Sequence, residues 1–147
     1  MNLFNRTLTF DFGSSNTVVC ENGRVVYDEP TEIAILNDSV VKVGIKARAF
    51  YSCKCERIKP IVSGHIDNHE AFEAYVKGVL RKIIWFPQIC LNSVLIAVPN
   101  DMNEGDNAAL CEPFRKRGVK NIMIIPKGVA SCLGNYGIVP TKGEQML

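Results

Sequence analysis

The chain is short of the features that mark several common protein classes. Its 17 basic and 15 acidic side chains leave a net charge of only +2. That balance lacks the basic footprint of a nucleic-acid binder, so no nucleic acid is expected among its partners. No apolar run approaches the about 18 residues of a membrane span. The N-terminal segment MNLFNRTLTFDFG has no basic stretch leading into an apolar one, so it does not read as a secretion signal. The expected setting is therefore cytoplasmic and reducing, with its thiols unpaired. Of the six cysteines, only Cys53 and Cys55 lie close together. A zinc site would want a second pair or histidines at ligand spacing, which His65 and His69 do not supply. The pattern G-x-x-x-x-G-K-[ST] is missing, which excludes a P-loop.

What is present suits one globular domain: 147 residues, 47% hydrophobic and 22% charged. The first third predicts strands. Residues 7–12, 17–20 and 24–27 are rich in β-branched and aromatic side chains. Gly13-Ser14-Ser15 marks the first turn, and Asn22-Gly23 is a strong signal for a tight hairpin, since both positions accept φ > 0. Glu29-Pro30 is expected to end the third strand. Residues 33–36 and 40–43 predict a smaller hairpin, residues 46–51 a short helix, and residues 52–64 an irregular stretch. Asp67-Asn68-His69-Glu70 resembles a helix start. Phe72, Tyr75, Val76, Val79, Leu80 and Ile83 then form the apolar stripe of an amphipathic helix. Residues 94–98 and 122–125 predict buried strands. Between them, residues 103–117 predict a helix capped by Asn103, closed by Gly118 and bent at Pro113. Residues 129–136 predict a last helix. A meander followed by helix–strand–helix–strand–helix implies a mixed sheet with helices on its faces and a parallel crossover between the last two strands.

The sharpest local feature is Asp11-Phe12-Gly13-Ser14-Ser15-Asn16-Thr17. A carboxylate ends a buried strand and a turn of small residues follows. Backbone N–H groups in such a turn can cradle phosphate oxygens, and the carboxylate can hold a magnesium ion through water. The same spacing also suits an ordinary polar hairpin turn.

This segment resembles the first phosphate motif of the actin-like ATPases, above all the MreB-like bacterial actins, whose version reads roughly D-L-G-T-A-N-T. Further segments follow in the same order. Asp28-Glu29-Pro30-Thr31-Glu32-Ile33-Ala34-Ile35 is similar to N-E-P-S-V-V-A-I. Lys59-Pro60 with Gly64-His65-Ile66 is similar to R-P-x-x-D-G-V-I, and residues 94–99 are similar to the strand ending in V-P. Together they cover nearly the whole chain.

The resemblance implies an α/β, ribonuclease-H-like fold: a five-stranded mixed sheet of order 3-2-1-4-5 flanked by helices, with a small accessory β-hairpin subdomain over about residues 31–58. It implies ATP and magnesium as ligands of the family. Asp11 would hold magnesium through water, and the backbone of Gly13, Ser14, Ser15 and Asn16 would contact phosphates. The family's water-positioning glutamate corresponds to Asp106, one methylene shorter. A 1 Å misplacement can cost about 10²-fold in rate. Asp106 also suits a first-turn acid answering the helix dipole. The family's E-P-x-A-A-A reads Lys127-Gly128-Val129-Ala130-Ser131-Cys132 here, so an acid that would face the magnesium region has become a lysine.

The chain ends where the family's next strand should begin. The second domain, with its D-I-G-G-G-T motif and adenosine pocket, is therefore expected to be absent from this chain. Alone, the chain should bind ATP weakly and show no turnover. The function implied is that of the first half of a rod-shape-determining cytoskeletal protein that organises the cell wall. Its partners would be itself or a full-length MreB-like protein. A non-enzymatic half-actin docking on filaments is the alternative, and a chaperone or sugar-kinase lobe is a third reading. Finally, residues 83–91 carry no charge. Trp85, Phe86 and Ile89 fall where MreB-like proteins present apolar side chains to the inner membrane surface, and the same residues could instead be core.

Overall fold

The computed structural model describes residues 6–37, 39–50, 54–84 and 91–136. Their backbone forms ten strands and four helices. β1 (Arg6–Phe12), β2 (Asn16–Glu21) and β3 (Arg24–Pro30) make the expected meander, and β9 (Leu91–Val98) and β10 (Asn121–Pro126) extend it. The sheet runs β3-β2-β1-β9-β10. β1 pairs antiparallel with β2 and parallel with β9, and β9 pairs parallel with β10. This is the 3-2-1-4-5 order that the resemblance implies.

Local chemistry explains the joints. Asn22 and Gly23 adopt φ of 51° and 75°, the left-handed pair that lets the β2–β3 hairpin follow the twist of its strands. Pro30 is the last residue of β3 rather than a residue beyond it. β3 is an edge strand, where a missing ladder N–H costs nothing.

The core lies under β1. Leu8, Phe10 and Phe12 are buried on one face, while Asp11 between the two phenylalanines is exposed. The Phe10 ring meets Phe114 of α3 (Glu104–Lys116) edge-on at 5.0 Å. The Phe12 ring meets Phe72 of α2 (His69–Ile83) at 5.1 Å. Both helices thus cover one face of the sheet. On α2 the predicted stripe is buried at Phe72, Tyr75, Val76, Val79 and Leu80, each worth about 1.5–3 kcal/mol. Ile83 is only half-buried, and Ile84 completes the seam. α4 (Lys127–Tyr136) packs along β9 and β10.

Three expectations need correction. The stretch from 52 to 64 is not irregular where it is described. β6 (Cys55–Ile58) pairs with β4 (Ile33–Leu36), which also pairs with β5 (Ser39–Val43), so the small hairpin is a three-stranded sheet. β7 (Ile61–Val62) and β8 (His65–Ile66) form a further small hairpin. The short helix α1 (Ile45–Arg48) stops before residue 51. β10 is an edge strand rather than a buried one, with Met123 67% exposed. The cap of α2 is Asn68, whose side chain accepts the Ala71 N–H at 2.8 Å.

Among the described residues, no helix is long and apolar enough to cross a membrane. No group of three or more potential ligands there could hold a metal ion.

Candidate functional site

The parallel strands β1, β9 and β10 end together. Asp11 is level with Ala97, which is level with Ile125. Where strand order reverses on either side of a central strand, the carboxyl ends leave a crevice that open α/β sheets use for ligands. The turn after β1 opens there.

That turn is built by short backbone contacts. The Gly13 N–H donates to the Asn16 carbonyl at 3.0 Å. A Cβ on Gly13 would stand 2.6 Å from the same oxygen, so only glycine fits. Two fully buried threonines fix it from below. Thr31 donates its hydroxyl to the Gly13 carbonyl at 2.6 Å, and the Thr17 and Thr31 hydroxyls lie 2.9 Å apart. Since Thr31 has spent its one proton, Thr17 is the donor of that second bond. The Thr31 N–H closes the ring on the Ser15 carbonyl at 3.0 Å. The Asn16 amide donates to Asp28 at 3.2 Å. Among the described residues, the Ser14 and Ser15 N–H groups have no protein acceptor. They are the groups a phosphate could take.

Asp106 stands at the third position of α3. Its N–H donates to the side chain of the capping residue Asn103 at 2.8 Å, and its Oδ2 accepts from the Asn103 amide at 3.0 Å. The same oxygen lies 3.0 Å from His65 Nδ1. Next to His65, the Gly64 N–H donates to Ser14 Oγ at 2.9 Å. The β7–β8 turn therefore links Ser14 of the phosphate turn to Asp106. The sequence flagged Asp106 and the glycine-serine turn; it did not flag His65, Thr31 or the link between them. Thr31 and His65 did stand inside the quoted motif segments, which was the available signal.

Lys127 reaches into this crevice. It opens α4, and its Nζ lies 2.7 Å from Asp11 Oδ1 and donates to the Phe12 carbonyl at 3.2 Å. It crosses the end of β9 to do so, a span of two strand spacings that a lysine stem can bridge from the strand's end. No acid stands in the first turn of α4. A cation at a helix N-terminus is unfavourable by about 0.3–1 kcal/mol, and Asp11 answers it. Asp11, where the resemblance implies magnesium held through water, is here matched to an ammonium, and among the described residues no group of three potential ligands stands with it.

Elsewhere, a groove of about 490 Å³ lies between β5 and α2, lined by Lys42, Lys46, Lys77, Arg81 and Lys82 among others. It shares no residue with the phosphate turn. Trp85, Phe86 and Ile89 lie outside the described residues.

The fold and the turn define an actin-like domain. Two crystal structures of MreB5 of Spiroplasma citri superpose on it. The structure bound to ADP has a TM-score of 0.75 and 23% identity, covering 88% of this chain and 40% of that one. The structure bound to AMPPNP has a TM-score of 0.76 and 24% identity, covering 91% and 42%. The sequence profile described as MreB/Mbl protein matches residues 5–146, and the chain belongs to that family. It is 25% identical over 138 residues to the cell shape-determining protein Mbl of Bacillus subtilis (strain 168), and 24% identical to that of Bacillus cereus (strain ATCC 10987 / NRS 248). The chain spans 41% of the length of each relative.

Proposed function

We propose that this chain is the phosphate-gripping first lobe of an actin-like cell-shape protein, acting in an assembly with further copies or with a longer relative. The observation that carries the reading is the turn after β1. It is locked by Thr17 and Thr31, with the Ser14 and Ser15 N–H groups left to the crevice, in a chain whose family match runs over residues 5–146. In this reading the backbone of Gly13, Ser14, Ser15 and Asn16 contacts nucleotide phosphates. Asp106 stands at the water-positioning place of a completed site. ATP is the nucleotide class; the MreB5 neighbours hold ADP and AMPPNP.

Two features favour a binding lobe over a self-sufficient enzyme. Asp106 is engaged by Asn103 and His65, and Asp11 by Lys127. An open turn also leaves the base of a nucleotide in water. Affinity for ATP should therefore stay in the millimolar range, about 4 kcal/mol, without turnover. NMR titration should move the amide signals of residues 13–16 and few others. Micromolar affinity, steady phosphate release, or no response of those amides at millimolar ATP would overturn the reading.

We further propose that the uncharged stretch around Trp85, Phe86 and Ile89 makes peripheral contact with the inner membrane surface. The support is sequence alone: no charge falls between Ile83 and Leu91, although most connections are polar.

A further inference from the structure

Lys127 occupies the place where a phosphate site of this kind would hold a cation. We propose that its ammonium is a built-in counter-ion that replaces a bound divalent metal at Asp11. The crevice would then take a nucleoside polyphosphate free of metal in preference to its magnesium complex. The consequence for nucleotide rests on the phosphate reading of the turn; the replacement of the metal does not.

The geometry carries the argument. The Lys127 ammonium forms an ion pair with Asp11 Oδ1 at 2.7 Å and donates to the Phe12 carbonyl at 3.2 Å, so it is fastened to the end of β1. Among the described residues it has no protein partner besides Asp11 and Phe12. The pair is open to solvent, with the lysine side chain 37% and the aspartate side chain 53% exposed, so a ligand can reach it. A divalent ion at Asp11 would have to displace the ammonium or sit against it. It would find no ready-made protein cage, since the described residues hold no group of three potential ligands. An ammonium is a compact point charge that serves phosphate oxygens well. Here it stands beside the turn that offers the Ser14 and Ser15 N–H groups. Metal-free polyphosphate brings the most negative charge to that place. Its magnesium complex brings a dication toward the ammonium.

Manganese alone, followed by paramagnetic broadening of the amide signals of residues 11–16, tests the replacement without any nucleotide. The whole chain should show no site-specific broadening. Lys127→Glu should show it, and adding Asp11→Asn should remove it. Lys127→Glu puts an acid where the α4 dipole favours one, so it should fold; its amide spectrum checks this, and Lys127→Gln serves if it does not. Lys127→Gln should broaden more than wild type. Broadening in the wild type that Asp11→Asn removes would overturn the proposal. So would the absence of broadening in every variant, because then the lysine is not what keeps metal out.

A second arm uses ATP with a chelator or with magnesium. The wild type should bind metal-free ATP about fivefold more tightly, the size of one exposed charge contact in water, and Lys127→Glu should reverse the order. Tighter binding of the magnesium complex by the wild type would overturn the preference. No response to ATP in any variant removes the phosphate reading, while the manganese contrast still decides the metal replacement.

Discussion

A single hydroxyl decides whether the phosphate turn keeps its shape. Thr31 donates to the Gly13 carbonyl and receives the Thr17 proton, and both threonines are fully buried. Thr31→Val keeps the volume and removes both bonds. The Gly13 carbonyl loses its side-chain donor and the buried Thr17 hydroxyl loses its acceptor, a penalty of about 1–3 kcal/mol. Urea unfolding should show that loss, and hydrogen exchange at residues 13–16 should quicken. Thr31→Ser should recover most of it. A Thr31→Val protein as stable as wild type would mean that the turn holds without this clamp. The site was legible in the sequence where chemistry is local: the Gly13 N–H bonds to Asn16 and Asn103 caps Asp106, each three residues away. It was illegible where contacts are long-range. Lys127 meets Asp11, and His65 meets Asp106, across most of the fold. No spacing rule joins such pairs; the parallel register of β1, β9 and β10 joins the first, and the packing of β8 against α3 joins the second.

At the scale of elements, periodic stretches announced themselves and short paired ones did not. The stripe on α2 and the Asn22-Gly23 turn each rest on neighbours along the chain. β6, β7 and β8 have four, two and two residues, too few for alternation to show. β6 exists because β4 offers it a ladder, as Ala34 pairs with Arg57, and its own sequence CERI is half charged. β10 reads as buried from its apolar run, yet its place at the sheet edge leaves Met123 outside. Pro30 ends β3 as expected, and that its missing N–H is tolerated inside the strand is an edge property, visible only once the order of strands is known. The connection between α2 and β9 holds the proposed membrane contact. Two or three partly inserted side chains give only a few kcal/mol, so one chain should bind reversibly and an array more firmly. Trp85 fluorescence should shift blue with anionic vesicles. Serine at Trp85, Phe86 and Ile89 should abolish the shift while leaving the fold intact. An unchanged spectrum at excess lipid, or a triple variant that unfolds, would assign these residues to the core.

Among the described residues, two guanidinium–carboxylate pairs fasten the molecule, and these give it a direction of pH response. Arg6 meets Glu21 through two nitrogens, its Nη2 at 2.7 Å, and joins the open ends of β1 and β2. Arg48 donates to Glu32 at 2.7 Å and 3.2 Å, and ties α1 back to the start of the small sheet. In each pair the direct hydrogen bond from the arginine holds the carboxyl below its ordinary range, against a smaller opposing effect of burial. Lys59 and Arg57 add to the effect at Glu32. An unfolded chain takes up protons at the ordinary value of about 4.3. The folded chain resists until lower pH. The contribution is therefore fully present above the unfolded value and is lost as pH falls through the folded ones. For Arg6 and Glu21, partly open to water, screening keeps the stabilisation below about 1 kcal/mol. The urea midpoint should hold from neutrality to about pH 5 and then decline. Glu21→Gln combined with Glu32→Gln should lower the midpoint at neutral pH and flatten the decline, so that the two curves converge in acid. If the double variant declined as steeply as the wild type, the acid response would belong to other carboxylates, and the two pairs would be surface contacts without a part in holding the sheets together.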